Sequence, residues 1–149
     1  MISPADGKVI KAGPDEISIF MNVFNVHVCR SPIAGRIVSV DHRSGKFLAA
    51  FDERAPEQNE RAAIRIVGER ATLTFTLVAG LIARRIVCKV RDEQQLAAGE
   101  RVGLIRFGSR VDVSLPTGAE ALVRVGERVR AGESILARLA AGTGESAAR

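Results

Sequence analysis

The chain of 149 residues contains no tryptophan, no tyrosine, two histidines, two cysteines and six phenylalanines. With so few aromatics the core has to be built from Val, Ile, Leu and Ala, and the sequence is poor in the stacking aromatics that nucleic-acid modules usually add. Two histidines and two scattered cysteines, Cys29 and Cys88, offer no metal-ligand spacing. The same two cysteines lack a CxxC arrangement; a disulfide between them is open, but two buried reduced thiols in a cytosolic protein fit better. No apolar run approaches the roughly 18–20 residues that cross a bilayer. No Gly-rich loop joins a strand to a helix, which argues against a nucleotide site.

What is present is enough for one compact domain, and a chain of this length buries roughly 70% of its unfolded surface. Hydrophobic residues make up 46% and the formal net charge is +5, from 22 basic and 17 acidic residues. The basic residues are spread among the acidic ones rather than collected on one face. That favours an anionic lipid surface or plain solubility over nucleic acid.

Short β-branched runs recur between Gly, Pro and Asp turn signals, at 8–11, 17–20, 36–40, 47–51, 63–67, 72–78 and 86–90, and again at 101–107, 121–125 and 134–138. A helix is expected only at 92–98, opened by acidic residues and closed by Gly99, with a polar loop at 53–61 and a frayed tail at 140–149. The pattern predicts an all-β fold with one or two short helices, of barrel-sandwich-like architecture.

One turn is duplicated. Ser3-Pro4-Ala5-Asp6-Gly7-Lys8-Val9-Ile10 matches Ser31-Pro32-Ile33-Ala34-Gly35-Arg36-Ile37-Val38. Proline fixes each turn and glycine permits the tight bend. Where the second copy has Ala34 the first has Asp6, and a turn that accepts Ala needs no carboxylate, so Asp6 is a candidate for chemistry. Near the C-terminus, Val123, Gly126, Val129, Gly132 and Ile135 form a Gly-rich hairpin resembling that of lipoyl- and biotinyl-type domains, without a convincing carrier lysine.

Of the histidines, His42 sits in a turn and is expected to face solvent, whereas His27 lies in an apolar strand. Gly108-Ser109 falls between two strong strands, and its plain reading is the two-residue turn of a hairpin.

Taken together, four stretches in order resemble phosphatidylserine decarboxylases of the short proenzyme type. These are Ser3-Pro4-Ala5-Asp6-Gly7-Lys8-Val9, then Ile19-Phe20-Met21-Asn22-Val23-Phe24-Asn25-Val26-His27-Val28-Cys29-Arg30-Ser31-Pro32-Ile33-Ala34-Gly35, then Gly103-Leu104-Ile105-Arg106-Phe107-Gly108-Ser109-Arg110-Val111-Asp112, and the Gly-rich hairpin; the likeness runs from residue 3 to about 138. The resemblance implies a single domain over 1–139 that cuts itself between Gly108 and Ser109 through an Asp6-His27-Ser109 set. It implies chains 1–108 and 109–149 that stay together as a heterodimer, with a homodimer of these open. Ser109 would become a pyruvoyl group that forms a Schiff base with the serine amine of phosphatidylserine and draws off the electrons released with CO2. His27 would supply the proton, because Phe24 stands where some relatives carry a second histidine.

The implied partners are the phospholipid and the cytoplasmic face of a membrane, with peripheral attachment. The motif at residue 3 suggests missing N-terminal residues, including the hydrophobic segment many short relatives carry. Arg30, Arg84, Arg85, Arg106 and Arg110 are candidates for phosphate or membrane contact, against the plainer reading of a solvated face. The competing reading is a non-enzymatic carrier or binding module of lipoyl-like or sugar-phosphotransferase-like type; an ether-linked serine phospholipid is a second alternative.

Overall fold

The computed structural model describes residues 1–22, 28–46, 49–80, 86–105 and 108–140. Its strands are β1 (Gly7–Ala12), β2 (Glu16–Met21), β3 (Val28–Arg30), β4 (Gly35–Arg43), β5 (Arg61–Val67), β6 (Thr72–Val78), β7 (Ile86–Cys88), β8 (Gln95–Leu96), β9 (Arg101–Ile105), β10 (Ser109–Ser114), β11 (Glu120–Ala121), β12 (Arg128–Val129) and β13 (Ala137–Arg138). The one helix among the described residues, α1, is a single turn at Ala55–Gln58. The fold is all-β, as expected.

An eight-stranded sheet has the order β12-β1-β2-β10-β6-β5-β4-β8, beside a three-stranded sheet β3-β9-β7 and a pair β11-β13. Alternation decides which side of each strand is buried. In β6, Leu73, Phe75 and Leu77 point into the core while the intervening threonines are half-buried. Across the ladder Phe75 faces Ile64 and Leu73 faces Ile66, so two period-two patterns close one apolar face. β10 lies at the centre of the sheet, between β2 and β6, and is buried on both faces.

The duplicated turn is duplicated in space. Ser3 Oγ donates to the Ala5 carbonyl and Ser31 Oγ to the Ile33 carbonyl, each at 2.7 Å. A Cβ on Gly7 would strike the Phe20 carbonyl oxygen, and one on Gly35 that of Val67, so both glycines are fixed by close approach of a neighbouring strand. In the Gly-rich hairpin Gly126 and Gly132 take φ of 99° and 75°, the left-handed turns that glycine permits.

Three expectations are corrected. The segment 92–98 is not a helix. Glu93 has φ 71°, and its N–H goes to the Ile37 carbonyl while Ile37 N–H goes to Gln94, so the backbone bonds to β4 and forms β8. The strand expected at 47–51 is a turn where it is described, closed by Asp52 N–H on the Ala49 carbonyl. Asp52 Oδ1 then accepts from Arg54 N–H at the entry to α1, which lies inside the expected polar loop. Gly108-Ser109 is not a hairpin turn, because β9 belongs to the three-stranded sheet and β10 to the eight-stranded one. The chain passes from one sheet to the other between Ile105 and Ser109.

No disulfide joins the two cysteines; Cys29 is buried and Cys88 half-buried. They face Gly103 from opposite sides, through β3 and β7. His42 is exposed, at the end of β4 rather than in a turn. Residues 141–149, most of the expected tail, lie outside the described residues.

Candidate active site

Ser109 opens β10 and is fully buried. It pairs with Met21 at the end of β2, and its Oγ lies 3.5 Å from Met21 Sδ. A thioether is a weak acceptor, so this contact holds the buried hydroxyl only loosely. Before it, Gly108 has φ 62°, and nothing stands within 4 Å of where its Cβ would be. Glycine is required there by the backbone, not by space. The Gly108 carbonyl oxygen presses on Gly80, two residues past the end of β6.

Asp6 precedes β1. Lys8 faces Phe20 as Arg110 does from the other side, so Asp6 and Ser109 lie at the same end of the sheet with β2 between them. Two strand spacings separate β1 from β10 by about 10 Å. Asp6 Oδ1 accepts from Ala131 N–H at 2.6 Å, which ties the first turn to the Gly-rich hairpin. The structure therefore brings Asp6 and Ser109 to one end without joining their side chains. This backbone bond also gives the Asp6/Ala34 difference a structural source.

His27 lies outside the described residues. Its neighbour Val28 lines a cavity of about 420 Å³ together with Asp6, Arg30, Arg101, Arg130 and Glu133. Cys29 is close enough to feel the Asp6 charge. Burial first, then Cys88, then Asp6 push its thiol up to about 12, so it is neutral at physiological pH.

Arg110 departs from both expectations for it, since it is neither solvated nor directed at an anion outside the protein. It is buried, with Nε 2.8 Å from Asp112 Oδ1, an Nη donating to Ser18 Oγ at 3.1 Å and the other to the Ala50 carbonyl at 3.4 Å. Burial pushes the Asp112 carboxyl up while the Arg110 guanidinium and the Ser18 hydroxyl oppose it. Arg30 donates to the Gly99 carbonyl at 2.8 Å; Arg84, Arg85 and Arg106 lie outside the described residues.

Gly80, Met21 and Ala50 escaped the sequence reading. The available signal was an isolated glycine directly after an alternating strand, which marks close backbone approach. Among the described residues no group of three or more His, Cys, Asp and Glu side chains is placed to hold a metal.

Fold and site together define an all-β protein with a buried serine where the chain passes from one sheet to another. The phosphatidylserine decarboxylase family profile matches residues 11–137. A protein of Syntrophus aciditrophicus named phosphatidylserine decarboxylase proenzyme is 49% identical over 148 residues, covering 91% of this chain and 70% of its own length. Proteins of the same name from Solibacter usitatus and Prosthecochloris aestuarii are 49% and 43% identical, over 92% and 93% of this chain and 69% of each relative. No solved structure matches. The chain belongs to the phosphatidylserine decarboxylase family.

Proposed function

We propose that this chain is a proenzyme that cuts itself between Gly108 and Ser109 and then converts phosphatidylserine to phosphatidylethanolamine and CO2. The observation that carries the proposal is the placement of Ser109: a fully buried hydroxyl directly after a left-handed glycine at a sheet crossing, in a chain of this family.

Self-cleavage needs no added oxidant or reductant. Ser109 Oγ gives up its proton and attacks the Gly108 carbonyl carbon; the C–N bond breaks, the amine takes a proton, and an ester replaces the peptide. Removal of the Ser109 Cα proton expels the Gly108 carboxylate by β-elimination. Water then replaces the nitrogen of the dehydroalanine, which leaves as ammonia, and a pyruvoyl group remains at 109. We assign the base to His27 and its orientation to Asp6, the arrangement that activates a serine nucleophile. The full burial of Ser109 fits a group made in place and shielded from solvent. When formed, the pyruvoyl group supplies an electron-accepting carbonyl for decarboxylation of an amino acid headgroup.

This chain's residues do the remainder. In the uncut chain no substrate reaches residue 109, because it is fully buried; the cut frees the Gly108 end and opens that face. The cavity beside Asp6 sets three arginines, Arg30, Arg101 and Arg130, against the carboxylates of Asp6 and Glu133, and the excess of positive charge suits an anionic headgroup. His27 returns a proton to the carbon that loses CO2.

The two products stay together. β10, in 109–149, makes six register pairs with β2 and four with β6, both in 1–108, and β12 pairs with β1. A bilayer lipid as substrate places the enzyme peripherally at a membrane surface, on the cytoplasmic side. Among the described residues no helix is long and apolar enough to cross one. The test is release of CO2 from phosphatidylserine vesicles by wild type and by Ser109→Ala: the proposal expects turnover only in the first, and equal turnover in both would overturn it.

A further inference from the structure

We infer that Gly80 is a positioning residue for self-cleavage: its bare Cα sets the place of the Gly108 carbonyl, so that Ser109 attacks a group held in register. The inference rests on the cut site proposed above.

β6 ends at Val78, which faces Arg110, so the antiparallel register carried on brings residue 80 alongside Gly108. Ala79 is fully buried, and its N–H is bonded to the Glu60 carbonyl, which anchors the backbone at that point. A Cβ on Gly80 would overlap the Gly108 carbonyl oxygen, come within 2.8 Å of its carbon and lie 3.1 Å from Ala50 Cβ. The overlap is more severe than at any other described glycine. Ala50 in turn is held through its carbonyl by Arg110. The carbonyl to be attacked is therefore seated against the bare Cα of Gly80, and Ala50, fixed by the side chain next to the nucleophile, closes the space on which a residue 80 side chain would have to draw.

Packing alone does not require so close a fit at this place. Gly7, Gly35 and Gly103 meet carbonyl oxygens of neighbouring strands, where a Cβ has to break a ladder. Gly108 belongs to no strand, is half-buried, and has open space where its own Cβ would be. A methyl group on residue 80 is thus relieved by displacing Gly108, with the core left in place. The displacement has to be about an ångström or more, and errors of that size at a reacting centre cost about 100-fold in rate.

The test compares wild type, Gly80→Ala and Gly103→Ala as full chains, the last as a steric control in the β9–β7 ladder. Processing is followed by intact mass over time, melting by circular dichroism, and ester formation by fragment release with hydroxylamine. We expect Gly80→Ala to process about 100-fold more slowly, to release no extra fragment with hydroxylamine, and to melt above Gly103→Ala. Wild-type processing in Gly80→Ala would overturn the inference while leaving the cut site standing. So would a hydroxylamine-labile ester accumulating in that variant, or melting below that of Gly103→Ala, which would mark Gly80 as a residue of the fold. An uncut wild type would remove the cut site itself.

Discussion

Ser109 Oγ faces Met21 Sδ at 3.5 Å across the last rung joining β10 to β2. The nucleophile is thus enclosed by an apolar side chain that positions it sterically and competes little for its proton. Ser109→Ala is expected to stop cleavage altogether while changing stability by less than about 1 kcal/mol, since the Ser109 Oγ bond to Met21 Sδ is weak. Met21→Leu keeps the volume of the wall, so cleavage should persist within a few-fold and stability within about 1.5 kcal/mol. Time courses on denaturing gels with urea melts check both.

Asp6 offers a way to separate structure from chemistry. Asp6→Asn retains an oxygen that accepts from Ala131 N–H but removes the charge. Processing is expected to fall at least about 100-fold, the scale of general-base assistance, with little change in melting. Asp6→Ala also loses the backbone bond and should cost a further 1–3 kcal/mol or so. His27→Ala is expected to slow processing as Asp6→Asn does. Normal processing in either charge-removing variant takes that residue out of the proposed set.

Arg110 and Asp112 form a buried ion pair in the central strand, with side chains 7% and 8% exposed. Arg110→Ala leaves Asp112 without its cation and should destabilise the protein by about 3–5 kcal/mol. Replacing both, as Arg110→Met with Asp112→Leu, should recover most of that loss, because no buried charge is left unpaired. Chemical denaturation of the three chains reads this directly. Equal stability of the single and double variants would contradict the pairing.

A thiol predicts an alkaline weakness. Burial holds Cys29 at about 12 in the folded chain against an ordinary value of 9.0. Between these two values the folded state keeps a proton that the unfolded state has lost, so stability falls as pH rises through the window. The slope approaches about 1.4 kcal/mol per pH unit. The chain has no tyrosine to confuse the readout. Urea unfolding between pH 8.5 and 11 should show this slope in wild type and a shallower one in Cys29→Ala; identical slopes would exclude Cys29 as the source.

How much of this was legible in the sequence depended on whether the determining contact was local. The repeated Ser-Pro-x-x-Gly turns and the alternation of Thr72–Val78 carry their own geometry, in proline, glycine and period two, and both appear as expected. The helix expected at 92–98 failed because Glu93 adopts a left-handed conformation and the segment takes its hydrogen bonds from β4, a partner some 55 residues earlier. Arg110 reads as a surface charge until Asp112, Ser18 and Ala50 are seen around it. Gly108-Ser109 looked like a hairpin turn because two strong strands flank it, and strand strength says nothing about which sheet each joins. The Asp6/Ala34 difference is visible in the repeat itself, but the contact of Asp6 with Ala131, 125 residues away, is not.

The claim on which the rest depends is scission at the sheet crossing, and intact mass of the purified protein tests it most directly. Two chains, residues 1–108 and 109–149, the second blocked by a pyruvoyl group, are the expected result. A single uncut chain of 15.9 kDa in a preparation that decarboxylates phosphatidylserine would contradict it.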